Sequence, residues 1–209
     1  MKEHKINLKK LLSCIVVIAI ILVVAIGLAL EYLSKDAILH ILLNYAFIAA
    51  PILGLWWWFE KYGWRHKWIK WTSPFLRLPP DLRGRWEGSI RHCDDSASYK
   101  YVVEIVQTLI TMQVTTYGLG GGSVSIIEAI ECNKLDADFH LVYSWLGETN
   151  MPKNGRFTHG KFYGFTRLKF FDNNTKTLTG EYFTNRSPQQ TKGELELEWK
   201  SYQLRGKFE

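Results

Sequence analysis

Residues 193–202 read GELELEWKSY, and this alternating segment indicates how the C-terminal half of the chain folds. Apolar side chains at Leu195, Leu197 and Trp199 alternate with charged ones. A β-strand sends successive side chains to opposite faces, so one face of this strand is apolar and the other is charged. Such a pattern is typical of a water-soluble sheet, whereas a membrane barrel has apolar residues on its outer face.

Period-two alternation of this kind recurs from Leu82 to the end of the sequence, interrupted by turn residues. We found no convincing amphipathic helix in this half. The pattern predicts a sandwich or a closed barrel, and closure leaves no exposed edge strand. We therefore expect an all-β domain over residues 81–209 that forms an eight-stranded antiparallel minimal β-barrel. The predicted strands are Arg83–His92, Tyr99–Gln107, Thr111–Tyr117, Ser123–Cys132, Asp138–Leu146, Phe157–Phe171, Thr177–Asn185 and Gly193–Tyr202.

The N-terminal part is of a different kind, because residues 11–30 and 37–59 carry no formal charge. Twenty residues at a rise of about 1.5 Å each span the roughly 30 Å hydrocarbon core of a bilayer. A cleaved signal peptide is the alternative for the first run, but its apolar core exceeds the usual ~7–15 residues and no clear A-x-A site follows. Residues 1–60 therefore predict a hairpin of two transmembrane helices.

Positive charge is concentrated around these two runs. Residues 1–80 hold 10 Lys and Arg against 4 Asp and Glu, whereas residues 81–209 hold 16 of each. By the positive-inside rule, both termini are predicted to be cytoplasmic, with the loop 31–36 on the other side. A neutral C-terminal domain argues against DNA or RNA as a partner, although a small anionic ligand remains compatible with it.

Residues 61–80 form a Trp-rich basic linker, in which Trp64, Trp68 and Trp71 lie among lysines and arginines. Indole rings and cations favour the headgroup layer, so this linker predicts an interfacial belt. Inside the second apolar run, small residues recur every four positions, as do two polar ones. This stripe indicates either packing within the hairpin or association between protomers. Its residues are His40, Asn44, Ala46, Ala50 and Gly54.

The sequence LRGRWEG at residues 82–88 contains a Gly-x-Trp motif at Gly84–Trp86, similar to the signature of lipocalin-like barrels. Together with the two spans and the Trp-rich linker, it resembles the two-transmembrane, β-strand-rich effectors of bacterial cyclic-oligonucleotide antiphage (CBASS) systems. The resemblance implies an inner-membrane protein whose cytosolic barrel binds a cyclic dinucleotide made by a partner nucleotidyltransferase on phage infection. It further implies that ligand binding promotes oligomerisation, that the inner membrane is disrupted and that the cell dies.

A cyclic dinucleotide requires aromatic faces for its bases and hydroxyl or cationic donors for its phosphates. Alternation places six candidate side chains on the inner face of the barrel, although each of them could equally be core. Arg156 and Arg167 are the phosphate candidates, with Arg85 as a further one, and an ordinary surface arginine is the alternative for each. The six inner-face candidates are Tyr101, Tyr143, Trp145, Phe162, Thr166 and Tyr182.

Glycine-rich residues 118–122 lack the Lys-Ser/Thr of a phosphate loop and are flanked by strand-like residues, so they predict a flexible hairpin. No HExxH, GxSxG or dinucleotide-binding motif occurs, and the His and Cys residues have no metal-ligand spacing. The prediction is therefore a protein that is not an enzyme and needs no cofactor or metal. The alternative functions are a membrane-tethered carrier of an apolar or lipid ligand, and a membrane-anchored partner-binding module.

Overall fold

The computed structural model describes sixteen stretches of the chain, and all structural statements concern these residues. They fall into two compact units, residues 5–78 and residues 1–4 with 79–209, and we describe each unit by itself. The described residues are 2–3, 17–18, 21, 24–25, 28, 37–66, 69, 78–93, 97–119, 121–132, 139–149, 152–153, 156–157, 160–170, 176–185 and 190–208.

The larger unit is a closed antiparallel barrel of eight strands. Each strand pairs with the next one along the chain, and the last strand pairs with the first, so the sheet has an up-and-down order. The predicted eight-stranded barrel is thus confirmed. Its strands are β1 (Gly84–His92), β2 (Ser98–Gln107), β3 (Met112–Gly118), β4 (Gly121–Cys132), β5 (Phe139–Thr149), β6 (Gly160–Phe170), β7 (Thr177–Thr184) and β8 (Lys192–Ser201).

The core fills the barrel in the way the alternation predicts. Along β8, Leu195 and Leu197 are buried and Trp199 packs against the core, while the glutamates between them are exposed. Trp86 is buried near one end of the barrel, where its indole nitrogen donates a hydrogen bond of 2.9 Å to the carbonyl of Leu82. Because the chain enters the barrel here, we call this end the closed end and the opposite end the mouth.

Gly84, the glycine of the Gly-x-Trp motif, has a backbone φ angle of +117°, which residues with a side chain rarely adopt. A Cβ atom at this position would lie 2.4 Å from the carbonyl oxygen of Ser201. The motif therefore needs glycine because β1 and the end of β8 approach each other closely at the closed end.

The backbone of the C-terminal tail, residues 203–208, hydrogen bonds to a buried ion pair on the outside of the closed end. Arg85 and Glu104 lie 2.9 Å apart and are almost fully buried, although both lie on the outward face of the barrel. Arg85 donates to the carbonyls of Lys207 and Phe208, and Glu104 accepts from the backbone of Arg205 at 2.8 Å. Four hydrogen bonds, including one from the Gly206 backbone to Glu104, join the tail to residues more than one hundred positions away, so the tail is an integral part of the domain.

Two predicted strands differ from the structure by three residues at one end, and the one predicted over residues 138–146 continues to Thr149. The strand predicted over residues 157–171 is shorter, at Gly160–Phe170, and the residues before it form a separate ribbon in which Pro152–Lys153 pairs with Arg156–Phe157. A third two-residue segment, Lys2–Glu3, pairs with β4 at Glu131 and Cys132, beside the closed end.

The smaller unit contains helix α1 (Ala37–Lys61), followed by a short 3-10 turn at Gly63–Arg65. α1 covers the second predicted span, and the described residues between 17 and 28 in the first predicted span are also helical. No helix in the portion of the chain described here has both the length and the apolar content needed to span a bilayer. Ala50 and Gly54 of the small-residue stripe are exposed, whereas the side chains of His40, Asn44 and Ala46 lie outside the described ones.

Candidate ligand-binding site

A cavity of about 510 Å³ opens at the mouth of the barrel. Its walls come from every barrel strand, because strands β1, β3, β5 and β7 end here and the other four begin here. Small-molecule sites commonly occupy roughly 300–1,000 Å³, and the mouths of β-barrels are frequent places for them. The lining residues are Ile90, His92, Tyr99, Lys100, Tyr101, Thr116, Gly118, Leu119, Gly121, Gly122, Ser123, Trp145, Glu148, Phe162, Thr166, Tyr182, Thr184, Thr191 and Leu195.

One wall is formed by two aromatic rings at the ends of β5 and β6. Trp145 and Phe162 meet edge to face, with ring centroids 5.6 Å apart and planes at 79°. A Cβ atom on Gly164 would lie 2.2 Å from the Trp145 ring, and one on Gly147 would lie 2.9 Å from the Phe162 ring. The two glycines therefore leave the space that these rings fill.

The opposite wall carries a second aromatic group. The His92 ring lies 5.6 Å from the Tyr99 ring and 6.0 Å from the Tyr182 ring, and His92 Nδ1 hydrogen bonds to the Tyr182 hydroxyl. Gly193 provides room for Tyr182, since a Cβ atom there would lie 2.8 Å from its ring. The cavity thus presents aromatic surfaces on two sides, which suits a ligand with two flat rings.

Hydroxyl groups lie between the aromatic walls. Thr116 Oγ1 and Ser123 Oγ are 2.7 Å apart and both are buried, and Tyr101 lines the cavity beside them, where hydrogen bonding to both opposes the rise in its pKa. Burial raises the pKa of Tyr101 above its ordinary value of 10.0, against the opposing effect of these two hydrogen bonds. The phenol therefore stays neutral at physiological pH and keeps its proton for donation.

Formal charge in the cavity is sparse. Of the lining residues that the structure describes, only Lys100 and Glu148 carry a full charge at pH 7, if histidine is taken as neutral. The hairpin between β3 and β4 adds backbone surface, because Gly118, Gly121 and Gly122 all line the cavity and have no side chains. Among the described lining residues, an anionic ligand would therefore be held chiefly by hydroxyls and one lysine.

Residues 78–199 match the family model described as Cap15, cyclic dinucleotide receptor domain. The chain belongs to this family. The match begins just before β1 and ends within β8, so the Cap15 receptor domain is the barrel described above. No curated protein matches the chain.

Five of the predicted site residues come together at the mouth of this Cap15 barrel. Tyr143, Arg167 and the further candidate Arg85, which pairs with Glu104 at the closed end, lie elsewhere. Tyr143 lies deeper in the core and does not line the cavity; burial raises its pKa, and its hydroxyl hydrogen bonds to Thr166. Arg167 lies on the outer face, with a guanidinium nitrogen 3.6 Å from Glu131. Arg156 belongs to the separate ribbon, and its side chain lies outside those described. The five that line the cavity are Tyr101, Trp145, Phe162, Thr166 and Tyr182.

Arg167 contributes instead to a shallow hollow of about 570 Å³ on the outside of the barrel. Its walls carry both signs of charge, and register places Glu194 opposite Arg91 and Glu181 opposite Arg167. Opposite charges directly across neighbouring strands stabilise one another, so the charges of this surface largely neutralise each other.

Sequence reasoning missed the residues that surround the aromatic walls of the candidate site. Thr116 and Ser123 lie on the inward face of β3 and β4 and could have been found from alternation, but small hydroxyl residues in a strand give no functional signal. His92 and Tyr99 lie at strand ends, where alternation no longer assigns a face. Thr184 and Thr191, whose hydroxyls are 2.7 Å apart, come together only through the pairing of β7 with β8.

Among the residues described, no group of three or more His, Cys, Asp or Glu side chains is arranged to hold a metal ion. The family that the chain belongs to is a receptor family by its description and not a catalytic one.

Proposed function

We propose that this protein is an antiphage-defence effector of the CBASS type, and that the mouth cavity of its barrel binds a cyclic dinucleotide. The observation that supports the proposal is the combination, in one Cap15-family domain, of two aromatic walls with a band of hydroxyls between them. A cyclic dinucleotide has the matching chemistry, with two bases on either side of a ring that carries two phosphates.

In this arrangement one base stacks on the wall of Trp145 and Phe162, and the other lies against His92 and Tyr99. The phosphates face the hydroxyls of the inner strands, the glycine hairpin and Lys100. Base–aromatic stacking contributes roughly 1–3 kcal/mol per base, whatever the base. Hydrogen bonds at the ring edges, rather than the stacking itself, would therefore distinguish one messenger from another.

Ligand binding is proposed to bring protomers together and so to disrupt the inner membrane, which kills the infected cell. A ligand shifts such an equilibrium only if it binds the assembled state more tightly than the separate one. A partner nucleotidyltransferase would supply the messenger in the cytoplasm, where the positive-inside rule places the barrel. The small-residue stripe of the second apolar run supports helix association in the bilayer.

The proposal is tested by calorimetric titration of the full chain, in detergent micelles, with a panel of cyclic dinucleotides. We expect one member to bind with micromolar or tighter affinity. Tyr99→Leu removes one aromatic face at the rim of the cavity and should weaken this binding about tenfold. Tyr202→Leu is the matched control, because Tyr202 is an exposed tyrosine beyond the end of β8, at the closed end, and should leave affinity unchanged.

Absence of binding to every member by a folded chain would contradict the proposed function. Binding of a fluorescent fatty acid at the same cavity would then favour the alternative of a lipid carrier. Equal effects of Tyr99→Leu and Tyr202→Leu on cyclic dinucleotide affinity would place the binding site elsewhere than at the mouth.

A further inference from the structure

The outside of the barrel has two different faces. Strands β1 and β5 to β8 line the charged hollow described above, whereas β4 to β7 carry an apolar surface nearer to the mouth. Register aligns two rows across these four strands. The first row is Val124, Leu146 and Tyr163, and the second is Ile127, Ser144, Phe165 and Phe183.

These two rows, with Ile126 at the bulge of β4, form one continuous surface that we call the apolar patch. Val124, Ile126, Ile127, Tyr163 and Phe183 are between 44% and 68% exposed, and the rings of Phe165 and Phe183 stack with centroids 5.3 Å apart. Since large side chains have about 150–250 Å² of surface each, the patch exposes on the order of 500 Å². The largest apolar patch of a typical monomer exposes about 300–600 Å² and is often functional, so this patch is a candidate interaction surface.

Ion pairs border the apolar patch on two sides. Lys161 and Glu148 lie 3.2 Å apart at its mouth side, and Arg167 and Glu131 lie 3.6 Å apart at its other side. None of the eight residues in the patch is charged. An apolar centre with a polar, ion-paired rim is the usual anatomy of a protein–protein interface.

We propose that the apolar patch is the surface through which the barrel contacts the same patch on a second copy of this chain, in a weak pairing that precedes the ligand-driven assembly proposed above. An uncharged apolar surface is complementary to itself and can pair about a two-fold axis. Anionic lipid is a poorer fit, because lipid-binding surfaces combine apolar side chains with lysines and arginines, and the patch has neither.

The size of the patch suits copies that already share a membrane. A stable dimer commonly buries about 800 Å² on each partner, so on the order of 500 Å² gives only a weak contact between freely diffusing barrels. Confinement in one bilayer raises the effective concentration of the partners and makes a weak contact significant. This step rests on the proposed function, which places the barrel on a membrane anchor.

The test uses the full chain with Cys14, Cys93 and Cys132 replaced by serine, reconstituted in lipid vesicles without any nucleotide. A single cysteine is introduced as Tyr163→Cys at the centre of the apolar patch. Val106→Cys is the matched control, because Val106 is also an exposed residue on a strand but lies outside the patch, on β2. A short bis-maleimide then cross-links thiols that lie close together in two copies.

We expect cross-linked dimers from the residue-163 thiol to exceed those from the residue-106 thiol by about tenfold, which corresponds to roughly 1.4 kcal/mol of preference. Phe183→Lys, introduced with Tyr163→Cys, should abolish the excess, because it brings a charge into the contact of each copy. Equal cross-linking at the two positions would overturn the proposal, since it indicates random collision.

A second measurement on the same protein variants tests whether the apolar patch lies against the membrane instead of against a second copy. In vesicles so dilute that protomers are apart, the residue-163 thiol should react with a water-soluble maleimide as fast as the residue-106 thiol. Protection at residue 163 under these conditions would place the patch against lipid and overturn the proposal. Because no nucleotide is present, failure of the ligand-binding proposal would leave the cross-linking result intact, and the two outcomes are distinguishable.

Discussion

The indole nitrogen of Trp145 donates a hydrogen bond to Thr166 Oγ1 over 2.9 Å, between neighbouring strands β5 and β6. Both side chains are buried, and the ring lies over the bare backbone of Gly164. The largest aromatic surface of the cavity is therefore held in one orientation before any ligand binds. Such pre-organisation lowers the entropy lost on binding.

Thr166→Val should destabilise the barrel and weaken ligand binding. The change keeps the shape of the side chain but leaves the Trp145 N–H buried without an acceptor, which costs about 1–3 kcal/mol. Thr166→Ser is the control because it keeps the hydroxyl. We expect chemical denaturation to give a lower unfolding midpoint for the valine variant only. Similar midpoints for valine and serine would mean that the hydrogen bond does not hold the ring.

Gly164→Ala should be more harmful than its single added methyl group suggests. The new Cβ atom would lie 2.2 Å from the Trp145 ring, so the ring must move into the cavity, and overpacking of this kind costs about 1–3 kcal/mol. Gly118→Ala is the matched control, since its Cβ atom would lie 3.5 Å from Tyr101, in ordinary contact. Thermal unfolding of both variants measures the difference, and equal stabilities would show that the Trp145 ring adapts without strain.

The barrel was predictable because its physical signal is local and repeated. Alternation along single strands, as in β8, assigns the inner and outer faces, and the number of such segments limits the architectures. The sixth strand was predicted to begin at Phe157, but residues 152–153 and 156–157 pair with each other instead. Their pairing into a separate ribbon depends on contacts that a one-dimensional pattern does not contain.

The site was only partly predictable for the same reason. Trp145 and Thr166 are both on inward faces by alternation, but their hydrogen bond follows from the register between β5 and β6. Arg167 was selected for its charge, although it follows Thr166 directly and so must face outward. Alternation should have outweighed residue type here, because a strand cannot send two neighbours to the same side.

Glu104→Gln should reduce the loss of stability that the barrel suffers in acid. Burial tends to raise the pKa of Glu104, but hydrogen bonds from the Arg205 backbone, Arg85 and the Gly206 backbone together lower it below its ordinary value of 4.5. A lowered folded-state pKa means stability that is present above the unfolded-state pKa and is lost as pH falls through the folded-state one. The wild-type unfolding midpoint should therefore fall more steeply between about pH 5 and pH 3 than that of the variant.

The control for the acid measurement is Glu196→Gln, which removes the same charge from an exposed position on β8. We expect this control to follow the wild-type pH dependence. At neutral pH, Glu104→Gln should be less stable than wild type, because Arg85 then keeps a buried charge with one fewer carboxylate. Parallel acid profiles for wild type and Glu104→Gln would show that the C-terminal tail is held independently of this ionisation.

Gly54→Leu tests whether the small-residue stripe mediates assembly between protomers. A Cβ atom at Gly54 meets no atom within 4 Å, so the described part of one protomer leaves room for a side chain. If a second protomer packs against this position, leucine should prevent its close approach and abolish toxicity in cells that also produce the messenger. Ala49→Leu is the matched control, since Ala49 is exposed on the same helix but lies about 140° around the helix axis from Gly54.

Ligand affinity of the full chain should be unchanged in both variants. Persistent toxicity of Gly54→Leu would assign the stripe to packing within one chain, whereas loss of toxicity in both variants would point to general damage to α1.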